Sequence, residues 1–347
     1  MKRITVPASK EYEVVIESDF NNLKSEIEKV YSGEKIAVIT DSNTSSLFYK
    51  TVENRLIGYR LYEITVPYGE KSKNAENYIK ILSRLAELEF TRKDCVLSLG
   101  GGVVGDLSGF VASTYMRGIT YIQCPTTLLA CVDSSVGGKT AIDLPQGKNL
   151  VGTFYQPSLV YINTSALDSL PKCEIDCGMG EIVKYAFISK EITASDINCG
   201  ASEDLIKKCV GIKADVVGKD EFDKGVRAIL NLGHTIGHAI ENLSGYTLSH
   251  GLCVAKGIGV IIDLSADFYH LSEEKVNEMK SLLGAMNFDL SIPFTKGEIG
   301  KKLFIDKKAE RDGINFVLIK DIGDVRVEKL SEDYIRNTFY GDDAFSV

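Results

Sequence analysis

The sequence predicts an α/β domain with a mostly parallel sheet, followed by a mostly α-helical domain, and three observations carry that expectation. Strand-like apolar runs alternate with helical runs through the first half, the rhythm of a parallel sheet with helices on both faces. From about Leu170 this rhythm changes to mostly helical periodicity. Three of the four histidines, His234, His238 and His250, fall in one short stretch of the second half. With 347 residues the chain has room for two domains with cores of their own, and the expected division is 1–169 and 170–347.

Tyr12 to Ile16 reads as a strand, Asn21 to Tyr31 as a helix, Lys35 to Thr40 as an apolar strand and Thr44 to Leu56 as a helix. Arg60 to Val66 is the next strand, and Ala75 to Leu88 repeats its apolar residues at helical spacing. Asp94 to Leu99 is a buried strand that runs into Gly100-Gly101-Gly102, and the helix after it extends through Ala112. Tyr121 to Cys124 and Leu159 to Asn163 are two more strands. Between them lies a polar, glycine-rich segment, Asp133 to Asp143 and then Gly147-Lys148-Asn149, read as small-residue loops. In the second half Leu230 to Glu241 reads as one helix, with His234 and His238 four residues apart on one face, and Gly251 to Leu264 as another. Lys301 to Asp306 reads as a helix, Lys307-Lys308 as a basic turn, and Ile314 to Ile319 as a strand that forms a hairpin with Asp321 to Val327.

A net charge of -8 and a pI near 5.3 exclude a basic stripe able to displace many phosphate counterions, so no nucleic-acid partner is expected. No stretch has signal-peptide character or the length of a charge-free membrane span, so a cytoplasmic protein with no membrane partner is expected. The eight cysteines form no C-x-x-C pair, and several lie in apolar runs as small hydrophobes, Cys173 and Cys177 being read as free thiols.

Chemistry concentrates at three places. Asp41 ends an apolar strand, where a carboxylate can accept hydrogen bonds from ribose hydroxyls. Gly100 to Asp106 contains G-x-G-x-x-G at a strand-to-helix turn, where backbone N–H groups can reach a pyrophosphate. It departs from the usual dinucleotide fold in lying late in the sheet, with no acidic residue closing the next strand. Lys139 and Lys148 on the polar segment suit an acidic, phosphorylated ligand. Two imidazoles from separate segments and one carboxylate make an open divalent-metal site, and Glu181 is the natural carboxylate. Spacing alone does not separate His238 from a ligand.

Together G-G-G-V-V-G-D, S-T-Y-M-R-G, V-D-S-S-V-G-G-K-T-A-I-D, G-K-N-L-V-G, G-M-G-E-I-V-K-Y-A, N-L-G-H-T-I-G-H-A-I-E and L-S-H-G resemble the dehydroquinate synthase family of sugar-phosphate cyclases, densely from Gly69 to His250. The resemblance implies an NAD-binding α/β domain, a helical domain, an active site between them, a bound Zn2+ or Co2+, and a homodimer. It implies metal ligands at Glu181, His234 and His250, with His238 in the substrate site instead. NAD contacts fall on Asp41, Glu70, Lys73, Gly102, Val103, Val104, Gly105, Asp106, Thr126, Thr127, Lys139, Lys148 and Ser169. Proton handling and phosphate orientation fall on Lys139, Asp133, His238, Asn149 and Lys184. Substrate binding falls on Arg117, which reaches the neighbouring subunit's phosphate site, and on Lys213, Arg227, Asn231 and Lys307, or Lys308 one position on. Lys213 and Arg227 would hold the substrate carboxylate.

The implied activity belongs to the shikimate pathway of aromatic amino acid biosynthesis. A phosphorylated keto acid, 3-deoxy-arabino-heptulosonate 7-phosphate, is oxidised transiently by NAD, loses phosphate, is reduced again and closes by an intramolecular aldol step. Two departures stand out. The family's H-G-E-A-V-A-I-G is here His250-Gly251-Leu252-Cys253-Val254-Ala255-Lys256-Gly257, so leucine replaces a carboxylate beside a ligand and a lysine enters the helix. Asp223 stands where glutamate is usual. The alternatives are another sugar-phosphate cyclase, a metal-dependent polyol dehydrogenase, and a silent NAD- or metal-binding regulator.

Overall fold

The computed structural model describes residues 1–306 and 313–339, so the expectations for Lys307 and Lys308 lie outside the described residues. Chain contacts divide it into two compact units, Met1–Pro171 with Ser202–Phe222, and Lys172–Ala201 with Asp223–Val347.

The first unit is built on seven strands. In chain order these are β1 (Lys2–Val6), β2 (Tyr12–Glu17), β3 (Lys35–Asp41), β4 (Arg60–Val66), β5 (Cys95–Gly100), β6 (Thr120–Pro125) and, after a separate hairpin of β7 (Lys139–Leu144) and β8 (Gly147–Phe154), β9 (Leu159–Asn163). Their order across the sheet is β1-β2-β9-β6-β5-β3-β4. Every neighbouring pair is parallel except β1 with β2. A parallel sheet needs cover on both faces, and side chains of alternate parity sort accordingly. Ala37, Ile39 and Val96 enter one core with Leu107 and Val111 of the helix Gly102–Thr114. Ile36, Val38, Cys95, Leu97 and Leu99 enter the other with Leu23 and Ile27 of the helix Leu23–Val30.

Three local features differ from the sequence expectation. The edge strand β1 has only its last residue buried and gives no strong apolar run. The glycine-rich segment read as loops forms β7 and β8, an antiparallel pair whose outer strand is largely exposed and so lacks the apolar alternation that marks a half-buried strand. The helix expected at Leu230 to Glu241 is broken: a 3-10 turn Val226–Asn231 ends at Leu232, Gly233 takes φ 77°, and the α-helix begins at His234. The helix Glu203–Lys219 packs in the first unit, where Lys2 Nζ lies 2.8 Å from Asp204 and Pro7 packs against Gly218.

The second unit assembles the helices Lys172–Ile188, His234–Leu243, His250–Tyr269, Glu273–Gly284 and Lys296–Asp306 with an antiparallel hairpin, β10 (Ile314–Asp321) and β11 (Asp324–Leu330). Among the described residues no helix is long and apolar enough to cross a membrane. Leu97 is fully buried in the sheet of the first unit, so Leu97→Ala should cost about 2–5 kcal/mol, measured as a lowered denaturant midpoint.

Candidate functional site

Glycine contacts govern the second unit's histidine cluster. Glu181 follows Gly180 on the helix Lys172–Ile188, and His250 precedes Gly251 on the helix His250–Tyr269. A Cβ on Gly180 would collide with the Gly251 carbonyl, and one on Gly251 with the Cys177 carbonyl. The two backbones therefore approach at a distance that no other residue permits. The helix carrying His234 docks by the same means, since a Cβ on Gly257 would strike the Gly233 carbonyl and one on Gly237 would lie 2.9 Å from that of Cys253. Gly233 must be glycine twice over, for its positive φ and because a Cβ there would lie 2.6 Å from the Val254 carbonyl oxygen.

These contacts bring donor atoms of Glu181, His234 and His250 within 4.8 Å of one another. Glu181 Oε1 lies 3.2 Å from His250 Nε2 and 3.5 Å from His234 Nε2. Each ring is held from behind, His234 Nδ1 lying 3.1 Å from the Leu232 carbonyl and His250 Nδ1 3.2 Å from the Glu241 carboxylate. Engaging Nδ1 with those oxygens turns Nε2 of each ring toward Glu181, the nitrogen each would offer a metal. Neither oxygen of the buried Glu181 has an aligned hydrogen bond among the described residues, although Lys184 Nζ stands 2.5 Å from Oε2. Burial favours the neutral acid, but Lys184 and the two imidazoles hold the carboxyl well below its usual range. Burial pushes His234 down to about 3, so that ring is neutral near pH 7. At His250 burial is outweighed by the carboxylates of Glu181 and Glu241 on its two sides, which raise it to about 10. A buried carboxylate whose Oε1 lacks an aligned hydrogen bond and faces two oriented imidazoles fits a divalent cation.

His238 is exposed, its ring 5.5 Å from that of His234 and 5.6 Å from that of His250. It belongs to a second donor group with Glu241 and His250, so geometry keeps it near the cluster without placing it against Glu181. A cavity of about 400 Å³ is lined by Asn231, His234, Thr235, His238, Phe316 and Val327, among others. Arg227, at 2 % exposure, lies on the turn leading to Asn231. Cys177 is a free thiol that burial pushes up to about 11.

The first unit gathers another set at the carboxyl ends of β3, β5 and β6. The helix Gly102–Thr114 starts there after Gly101 with no side-chain cap, leaving its first N–H groups, those of Gly102, Val103 and Val104, open to an anion. Thr126 and Thr127 follow β6, the buried Thr126 donating its N–H to Gly100 O at 3.0 Å. Asp41 caps the next helical turn, accepting from the N–H groups of Asn43 and Thr44 and from the Thr44 hydroxyl. Lys73 is buried among three carboxylates, Asp106 at 3.1 Å, Glu70 at 3.2 Å and Asp143 at 3.9 Å. Burial raises Asp106 to about 6 against the pull of Lys73.

Lys213 donates to the Asp133 carbonyl at 2.7 Å and pairs with its carboxylate, which places Lys213 in the first unit and Arg227 in the second. Lys139 opens β7, while Lys148 and Asn149 lie on β8, all three exposed. Ser169 uses its hydroxyl on the Ala166 carbonyl. Arg117 is exposed on a turn where Met116, Arg117 and Gly118 all have positive φ. Sequence reasoning passed over Glu241 and Asp143. The signal for Glu241 was present, because residues 234, 238 and 241 share one helix face. The leucine at position 252 therefore leaves His250 with a carboxylate partner all the same. Lys256 is buried and donates to the carbonyls of Asp289, at 2.6 Å, and Ser291, so it ties down the chain after the helix Glu273–Gly284.

Family models for the 3-dehydroquinate synthase N-terminal and C-terminal regions match residues 63–177 and 178–309. The chain belongs to the 3-dehydroquinate synthase family. It is 43% identical over 332 residues to the 3-dehydroquinate synthase of Clostridium acetobutylicum, covering 92% of this chain and 93% of that one. It is 40% identical over 330 residues to that of Pyrococcus abyssi, covering 93% and 97%. Among solved structures, 2-deoxy-scyllo-inosose synthase complexed with carbaglucose-6-phosphate, NAD+ and Co2+ superposes with a TM-score of 0.87 at 25% identity, covering 97% and 99%. The activity is that of a 3-dehydroquinate synthase, a carbon–oxygen lyase of the shikimate pathway.

Two outcomes follow from the glycine packing and the oriented rings. Gly251→Ala, which leaves every donor in place, should lower zinc affinity by at least about tenfold in a competition titration, because the helices must separate. Glu241→Ala should weaken zinc about 10–100-fold by releasing the His250 ring. Unchanged zinc binding in the latter would give the orientation of His250 another source.

Proposed function

We propose that the chain converts 3-deoxy-arabino-heptulosonate 7-phosphate to 3-dehydroquinate and phosphate, with NAD on the first unit and one divalent cation, zinc or cobalt, at Glu181, His234 and His250. The observation that carries this reading is the buried Glu181 carboxylate, whose Oε1 has no aligned hydrogen bond among the described residues and faces two imidazoles whose other nitrogens are already engaged. When bound, the metal supplies Lewis acidity to the substrate's hydroxyl pair, and NAD takes up a hydride and gives it back.

This chain's own residues do the rest. Gly102, Val103 and Val104 offer N–H groups to a pyrophosphate, with Gly105, Thr126, Thr127, Lys139, Lys148 and Ser169 as further NAD contacts. Asp41 addresses its ribose hydroxyls, Glu70 and Asp106 are further contacts, and Lys73 is the buried cation of that face. Lys139 and Asn149, exposed on the hairpin, orient the substrate phosphate. Lys213, held by Asp133, and Arg227 read the substrate carboxylate, with Asn231 beside Arg227. His238 at the cavity moves the proton, and Lys184 holds the charge of Glu181. In this reading 1–169 is the NAD-binding domain, which also lends Lys139 and Asn149 to the substrate, and 170–347 is the metal- and substrate-binding domain. The protein acts as a homodimer in which Arg117, exposed on its turn, reaches the partner's phosphate site.

In this reading NAD would be needed only in catalytic amount. With NAD well below substrate, many phosphates should be released per NAD and no NADH should build up at its absorbance band. One NADH per product would instead mark a polyol dehydrogenase.

A further inference from the structure

The hairpin β7–β8 is irregular at one point. Ile142 pairs with Val151 and Leu144 with Gly147, so Asp143 alone is set against the three residues Lys148 to Leu150. Such a bulge lets its strand bend and re-aims the side chains on it. Within it Asn149 takes φ 58°, a left-handed conformation that asparagine tolerates better than most residues but that still needs holding. The carboxylate of Asp143 does this, Oδ1 accepting the Asn149 N–H at 2.8 Å. The same residue is anchored from its other side, since its own N–H donates to the Lys73 carbonyl at 2.8 Å and it bridges to Asn74. Its carboxylate is 3.9 Å from Lys73 Nζ, farther than those of Asp106 and Glu70, so its closer work is on the bulge.

We propose that Asp143 is a positioning residue that fixes the left-handed Asn149 and so aims that side chain from a frame anchored at Lys73, an inference that rests on the substrate role given to Asn149 above. The acceptor oxygen, rather than the charge, is what the bulge requires, because the held group is a neutral amide.

The test compares Asp143→Asn, which keeps an acceptor, with Asp143→Ala, which removes it, in protein loaded with zinc and NAD. Asp143→Leu, similar in shape to aspartate and without an acceptor, takes the alanine's place if that variant does not fold. The alanine or leucine variant should raise KM for the seven-carbon phosphate about tenfold, while NAD affinity measured without substrate changes by less than about threefold. Asp143→Asn should stay within about threefold of the unmodified protein in both. Hydrogen exchange at the Asn149 amide should be slow in the unmodified and Asp143→Asn proteins and fast in the others. Unchanged KM after loss of the acceptor, equal damage from asparagine and alanine, or an Asn149 amide that exchanges alike in all of them would each overturn the proposal. A protein that releases no phosphate at all would overturn the functional reading instead, and the Asn149 exchange would still decide whether Asp143 holds the bulge.

Discussion

The close approach of glycine backbones between three helices is the constraint on which the metal cluster depends. Gly180 and Gly251 sit where a single methyl group on either would meet the other helix's main chain, and Gly233 and Gly257 do the same for the third helix. The functional side chains are the immediate neighbours of these glycines: Glu181 follows Gly180, His250 precedes Gly251, and His234 follows Gly233. A helix side chain reaches only a few ångströms from its axis, so donors on three helices converge only when the helices pack this tightly.

Charge then decides what the cluster can do. A buried carboxylate is costly unless its charge is met, and Glu181 faces Lys184 on one side and two imidazoles on the other. Glu241 provides the counter-charge behind His250, and a carbonyl plays that part for His234, so the two rings differ in how readily they hold a proton. The first unit solves the inverse problem, a buried ammonium at Lys73 ringed by Glu70, Asp106 and Asp143. Lys73 keeps its charge because the carboxylates outweigh the loss of solvent, and Asp106 is raised because burial outweighs its pairing with Lys73.

The alternation of apolar strands and helices was legible because parallel strands buried on both faces must be continuous apolar runs, as at Lys35–Asp41 and Cys95–Gly100. The hairpin β7–β8 was not, because its outer strand is exposed and its residues carry no burial pattern to read. The break before His234 was hidden as well: Leu230, Leu232 and Ile236 keep an apolar spacing compatible with a helix, and only the packing of Gly233 on Val254 requires the left-handed turn.

Residue types and spacing by themselves determined the α/β class, the glycine-rich strand-to-helix turn, and a metal-ligating set drawn from Glu181 and the clustered histidines, because these follow from local periodicity and from the chemistry of side chains near one another in sequence. Tertiary structure alone decided how that set divides. His250 turns one nitrogen to Glu181 and the other to Glu241, while exposed His238 stands in the neighbouring group. It also decided that Lys213 answers Asp133 across eighty positions of chain, and that Asp143 holds Asn149 across a bulge. Such pairings depend on which backbones come close in space, and no period in a single sequence encodes that distance.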